Sequence, residues 1–214
     1  MNKLLLICGP TATGKTHLAL DLAKKFNGEL ISADSRQVYK GLDIGTGKDL
    51  PVNSKFQMEN DKLGFYSING VKVWGYDLVE PKREFSVAQY IKIANDIIKN
   101  IWERGKLPIL IGGTGFYIQG IVDGIPTAQI PKNKKLRNLL EGKSVNDLFE
   151  MLAQLNPVKS ASMNASDKKN PRRLIRAIEI ASYNLRTQQI KSLRRLNTDV
   201  LFIGLIAPRA FLSK

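Results

Sequence analysis

The residues best suited to chemistry are Gly9, Pro10, Thr11, Ala12, Thr13, Gly14, Lys15 and Thr16. They follow the apolar run Leu4 to Cys8 and lead into His17 to Lys25, whose apolar residues recur at helical spacing. A strand, then G-x-x-x-x-G-K-[ST], then a helix is the context in which this pattern cradles phosphate. The glycines let backbone N–H groups turn toward an anion, and the helix N-terminus adds the positive end of its dipole. Lys15 is expected to reach terminal phosphate oxygens, and the Thr16 hydroxyl to hold Mg²⁺. A glycine turn that binds nothing is the competing reading.

Two further junctions carry polar groups at strand ends. Glu29 to Ala33 reads as a strand ending at Asp34, Ser35, Arg36 and Gln37. In open α/β sheets ligands bind beyond the carboxyl ends of strands, so Asp34 and the phosphate loop could face one cleft. The Asp34 carboxylate is there a Mg²⁺ ligand, a general base or a helix cap. Leu107 to Ile111 is a second buried strand, followed by Gly112-Gly113-Thr114-Gly115. Thr114 offers a hydroxyl at a place where backbone can approach a substrate closely. That strand lacks the acidic residue with which P-loop NTPases usually hold Mg²⁺, which counts against ordinary ATP hydrolysis.

The elements that must position these groups fit in 214 residues as one good-sized domain with a smaller appendage. Phe65–Ile68 and Val71–Trp74 flank Asn69-Gly70, the signature of a two-residue hairpin. Residues 49–62 are polar and irregular and read as a mobile loop. Ser86 to Gln89 forms a capping box, and Val87, Tyr90, Ile91, Ala94, Ile97, Ile98 and Ile101 make a core-facing helical stripe that Gly105 ends. Asp199 to Ile206 reads as a buried strand returning to the sheet. Cys8 is the one cysteine, which excludes an internal disulfide and suits a buried, inert thiol; with a single histidine, no zinc site is expected. No apolar run is long enough to span a membrane, and the expectation is a cytoplasmic, monomeric enzyme.

The charge is uneven. Residues 1–130 hold 16 basic and 13 acidic residues, whereas residues 131–214 hold 17 and 6. That concentration predicts a polyanion-binding region in the second part. From Pro126 the texture becomes basic and helical, with segments expected near 132–141, 144–154 and 157–163. Asn170 and Pro171 then cap a helix that carries Arg172, Arg173 and Arg176 in its first two turns. A helix dipole disfavours positive charge there, so an anionic partner, RNA or pyrophosphate, accounts for them better than helix stability does.

Taken together, Gly9 to Thr16, Asp34 to Thr46, Gly112 to Tyr117 and Asn170 to Glu179 resemble the tRNA dimethylallyltransferases, or tRNA isopentenyltransferases. The blocks occur in that family's order over nearly the whole chain. The resemblance implies an α/β, P-loop NTPase-like parallel sheet with flanking helices and a helical insertion. The implied organisation is a core at 1–125, a basic tRNA-binding insertion at 126–190 and a return to the sheet at 191–214.

The implied reaction moves a dimethylallyl group from dimethylallyl diphosphate to N6 of the adenine beside the anticodon, with Mg²⁺ as cofactor. By resemblance, Gly9 to Thr16 bind the diphosphate, Lys15 and Thr16 serve it and its metal, and Asp34 is the general base. Thr114 lies beside the flipped adenine, with Asp34 to Gln37, Arg137 and Arg172, Arg173, Leu174, Ile175 and Arg176 as tRNA-contacting positions. The chain departs from the family where Val73 to Asp77 replaces a His-His-Leu-Leu-Asp run. Members also continue beyond the strand at 200–206, so a fragment or a shortened protein is expected. A P-loop nucleotide or small-molecule kinase, and a tRNA-binding module without catalysis, are the alternative readings.

Overall fold

The computed structural model describes residues 2–48, 50–52, 54–59, 63–187 and 198–208, with backbone only at 184–187. Two compact units emerge, Met1–Gly124 with Arg194–Lys214, and Ile125–Leu193.

The first unit opens with β1 (Lys3–Cys8), the phosphate loop, α1 (Lys15–Lys25) and β2 (Gly28–Ser32). Next come β3 (Phe56–Met58), β4 (Gly64–Ile68), β5 (Val71–Trp74), α2 (Val87–Glu103), β6 (Leu107–Gly112) and α3 (Gly115–Val122). The seven-stranded sheet is completed by β7 (Asp199–Gly204), in the order β3-β4-β5-β2-β6-β1-β7. Strands β5, β2, β6, β1 and β7 run parallel. The expected parallel sheet is therefore mixed, because β4 and β3 add antiparallel at one edge. The hairpin forms at Asn69-Gly70, where φ values of 51° and 81° give both central residues the left-handed conformation by which a two-residue turn matches the right-handed twist of its strands. Within the stretch read as a loop, Phe56–Met58 instead pairs with β4, while residues 49, 53 and 60–62 lie outside the described residues.

Helix α2 forms as its pattern predicts. Ser86 and Gln89 make a reciprocal capping box, and Tyr90, Ile91, Ala94, Ile97, Ile98 and Ile101 are buried. Burying a large apolar side chain contributes about 1.5–3 kcal/mol, so this stripe, not the single cap, fixes the helix to the sheet. Strand β7 corrects an expectation. It rejoins β1 in register, but as an edge strand with Leu201 and Phe202 65% and 52% exposed. An apolar run alone does not distinguish a central strand from an edge. Cys8, too, is half-buried rather than buried.

The second unit holds α4 (Lys134–Leu140), α5 (Val145–Leu155), α6 (Pro157–Ser162), α7 (Ala165–Lys168) and α8 (Pro171–Thr187). Leu140, Leu148, Leu152, Met163, Leu174, Ala177 and Ile178 form its own core. Asn170 accepts from the Arg173 amide, the cap its sequence predicts. Among the described residues, no helix is long and apolar enough to cross a membrane.

Candidate active site

The phosphate loop links β1 to α1. Gly14 takes a left-handed conformation, φ 79°, immediately before the helix. The Lys15 ammonium folds onto the Pro10 carbonyl at 2.5 Å, and the Thr13 hydroxyl donates to the same oxygen at 2.9 Å. By helix geometry the first N–H groups of α1 have no intrahelical acceptor, so the loop and helix end together offer donors to an anion.

A cleft of about 240 Å³ lies in front of this loop. Thr11 to His17 line one side, and Asp34, Gln37, Thr46 and Gly47 line it with them. The sequence-predicted phosphate loop and carboxylate thus share one space. Gly9 and Pro10 are not among the lining residues, nor are Ser35, Arg36 and Thr114.

Asp34 is held by its neighbours rather than by a helix. Its Oδ1 accepts from the Arg36 amide at 2.8 Å, which closes a turn of residues 35–38 and leaves the cap reading without a helix. Beyond β2, the Ala33 amide donates to the Ile111 carbonyl at 2.7 Å, and the Thr114 amide donates to the Ala33 carbonyl at 3.1 Å. Thr114 is the N-cap of α3, yet its hydroxyl makes no capping bond there and accepts from the Ser35 amide at 2.9 Å. Gly112 is needed for this approach, because a Cβ there would run into the Ala33 backbone. Beneath the junction, the buried Tyr90 donates to the Ser32 carbonyl at 2.9 Å and stacks on Tyr117, ring centroids 3.8 Å apart. Burial above all, with the Asp34 carboxylate nearby, pushes the Tyr117 phenol up to about 12, so it stays protonated.

Gln37 is both a lining residue and a clamp. It accepts from Ser32 Oγ at 2.6 Å and donates to the Thr46 and Gly47 carbonyls at 3.1 and 2.8 Å. Lys48, which the sequence reading passed over, is fully buried beside it. No periodic pattern announces a lysine whose partners come from distant loops.

A metal ion would find little protein charge here. Among the described residues, no three His, Cys, Asp or Glu side chains gather to hold one. The cleft offers the Thr16 hydroxyl and the Asp34 carboxylate. Such a sparse oxygen set fits Mg²⁺, which keeps several waters and binds chiefly through substrate phosphates.

In the helical unit, the predicted anion-contacting residues divide. Glu179 is buried and accepts from Arg137 Nε and Nη2, both at 2.7 Å, from Arg176 at 3.1 Å and from the Asn133 amide at 2.9 Å. Burial acts to raise its pKa, but these donors outweigh it and hold the carboxyl below its ordinary value. Arg176 also donates to the Thr127 and Ile130 carbonyls, both at 2.9 Å. Arg137 and Arg176 therefore carry internal structural duties. Leu174 is fully buried, so its side chain belongs to the core and not to an RNA-facing surface; Ile175 is half-buried. Arg172 is exposed, and Arg173 is 57% exposed and paired with Asp167. A second cavity of about 420 Å³ lies between residues 130–135 and the α8 residues Glu179, Ser182 and Tyr183, and three lysines line it.

Comparison with known proteins agrees with this geometry. The family model described as IPP transferase matches residues 37–214, and that described as isopentenyl transferase matches residues 2–61. The chain is 43% identical over 180 residues to tRNA dimethylallyltransferase 1 of Geotalea daltonii, covering 84% of this chain and 53% of the relative. It is 39% identical over 211 residues to tRNA dimethylallyltransferase of Anoxybacillus flavithermus, covering 97% and 62%. Among solved structures, a eukaryotic dimethylallyltransferase acting on tRNA matches with TM-score 0.74 and 27% identity, over 97% of this chain and 49% of that one. The full-length tRNA isopentenylpyrophosphate transferase of Bacillus halodurans matches with TM-score 0.56 and 33% identity, over 95% and 60%. The chain thus spans roughly half to three-fifths of the length of these relatives. Its sheet, its phosphate loop and its matched residues carry one conclusion: the chain belongs to the IPP transferase family, with a P-loop NTPase-like fold.

Proposed function

We propose that this chain carries the chemistry of a tRNA dimethylallyltransferase, moving a dimethylallyl group from dimethylallyl diphosphate to N6 of the adenine adjacent to the anticodon. The observation that carries the reading is the single cleft shared by the phosphate loop and Asp34. Names of relatives and solved structures support the substrate pair.

In the proposed step a bond forms between N6 and C1 of the dimethylallyl group while the C1–O bond to diphosphate breaks. The electron pair of that bond leaves with the diphosphate. The N6 proton passes to Asp34. An exocyclic amine conjugated to a purine is a poor nucleophile, so a carboxylate that takes its proton during attack lowers the barrier. Lys15 and the backbone amides of Thr11 to Thr16 take up charge developing on the leaving diphosphate. Mg²⁺ held by Thr16 and the diphosphate oxygens would neutralise more of that charge. Gln37 faces the adenine, with Ser35, Arg36 and Thr114 holding the adjoining turn, and the base must leave its stack to reach the cleft. Arg172, Arg173 and the lysines of the basic unit attract the anticodon stem-loop, with Arg137 and Arg176 supporting them from within.

The test is incubation with radiolabelled dimethylallyl diphosphate, Mg²⁺ and unmodified tRNA. Label in tRNA, located at N6 of adenine after digestion, is the expected result. Tight tRNA binding without transfer would reduce the chain to an RNA-binding module, and ATP-dependent phosphorylation of a nucleotide would make it a kinase.

A further inference from the structure

A loop of residues 39–48 carries Thr46 and Gly47 to the cleft; a bridge from Tyr39 to Val79 anchors its start, and beyond that its regular structure is one short turn, Ile44–Thr46. Such a segment has no stripe of apolar side chains to fix it, so its position must come from specific contacts. The side chain of Lys48 supplies them from inside. It is fully buried, and its ammonium donates to the Tyr39 carbonyl at 2.8 Å, to Asp43 Oδ1 at 2.7 Å and to Asp77 Oδ1. Three donors meet three acceptors, which is the full capacity of an ammonium.

The partners tie the loop to the sheet. Asp77 is 9% exposed, and its other oxygen accepts from the Tyr66 hydroxyl on β4. Its backbone is left-handed, φ 54°, an uncommon state for a residue with a side chain, and its amide donates to the Gln37 carbonyl at 3.2 Å. Gln37 in turn holds the Thr46 and Gly47 carbonyls. A closed circuit therefore runs from β4 through Asp77 and Lys48 to both ends of the loop, and through Gln37 to its cleft-lining residues Thr46 and Gly47. A buried charge is costly unless fully paired, so a lysine retained here in place of an apolar residue points to a need for fixed geometry.

We infer that Lys48 is a positioning residue which, through Asp43, Asp77 and Gln37, pins the Thr46–Gly47 wall of the cleft in the conformation that accepts a diphosphate. This rests on the diphosphate-binding reading of the cleft. Lys48 touches neither substrate in this scheme. Its role is to keep the wall populated in one arrangement before the ligand arrives. A loop competent for only about a tenth of the time would bind about tenfold more weakly.

The experiment compares the wild type, Lys48→Met, Lys48→Arg and Asp43→Asn. Asp43 is half exposed at 51%, so its amide variant loosens one arm of the circuit and spares the buried pair, which guards against a folding failure in the Lys48 variants. Binding of inorganic diphosphate with Mg²⁺ is measured by calorimetry, amide exchange at residues 43–48 is followed without ligand, and far-UV dichroism confirms folding. The expected result is faster exchange confined to 43–48 and about tenfold weaker diphosphate binding in Lys48→Met, with a smaller change of the same sign in Asp43→Asn. Lys48→Arg, which keeps the charge in an ill-fitting shape, should fall between Lys48→Met and wild type. If folded variants bind diphosphate as the wild type does, Lys48 is a core residue only and the inference is wrong. A wild type that binds no diphosphate would instead overturn the functional reading on which it rests.

Discussion

The Thr114 hydroxyl accepts the Ser35 amide at 2.9 Å across 79 residues of sequence, which ties the start of α3 to the turn that presents Asp34. A hydroxyl that could cap its own helix is spent on fixing the carboxylate's neighbour. Thr114→Val keeps the shape and removes the acceptor. The turnover rate is expected to fall by about ten- to a hundredfold, the scale of a misplaced reacting group, while Thr114→Ser stays near wild type. Steady-state kinetics on the two variants checks this; a loss in Thr114→Ser with none in Thr114→Val would assign the effect to the methyl group.

Lys15→Ala should lower kcat/KM for dimethylallyl diphosphate by about 10²–10³, as expected when charge stabilisation of a leaving group is lost. Affinity for tRNA, measured by filter binding, should remain near wild type. Undiminished transfer would remove the phosphate loop from the mechanism.

The arginines of α8 require a narrower test than their spacing suggests. Arg176 and Arg137 hold buried Glu179, and replacing them would strand that carboxylate and damage the unit. The double variant Arg172→Gln and Arg173→Gln changes exposed residues and keeps helix propensity. If both meet RNA phosphates, the slope of log K against log salt should fall by about 1.4 to 1.8. An unchanged slope in a folded protein would show that this face does not hold RNA.

Glu29 supplies a pH dependence. It is 1% exposed and bonded to Arg104, to Lys106 at 2.9 Å and to Trp74 at 2.9 Å. Burial acts to raise its pKa, but these donors, Arg104 first, outweigh it and lower the carboxyl from 4.5 to about 2. A folded-state pKa below the unfolded one stabilises above the unfolded value, and the benefit disappears as pH falls through the folded one. About 3 kcal/mol should therefore be present at neutral pH and be lost between about pH 4.5 and 2. Thermal melts across that range should show Glu29→Gln less stable than wild type at pH 7, with the difference shrinking toward pH 2. A constant difference would contradict the assignment.

Much of the site was legible because it is written in short stretches. Gly9 to Thr16 between an apolar strand and a helix, Asn69-Gly70 between two alternating runs and Ser86 to Gln89 each have local physics that one segment expresses. The rest depends on contacts between distant residues. Lys48 and Asp77 stand 29 residues apart, and Arg137 and Glu179 stand 42 apart. Neither pair leaves a periodic trace, so the sequence does not single out Lys48 and does not show that Arg137 serves Glu179. Hydrophobicity could not show that β7 lies at an edge, nor that the polar stretch around Phe56 adds a strand. Both are decided by pairing partners that composition does not encode.

The most direct test of the account is the Asp34→Asn variant. The amide keeps the shape of the side chain but cannot accept the N6 proton. Two quantities are measured together: turnover with saturating dimethylallyl diphosphate and tRNA, and affinity for Mg²⁺–diphosphate. A general base predicts turnover lower by about 10²–10⁴ with affinities for both substrates little changed. Loss of Mg²⁺-dependent diphosphate binding, with turnover falling only in step with it, would make Asp34 a metal ligand and contradict its role as the base.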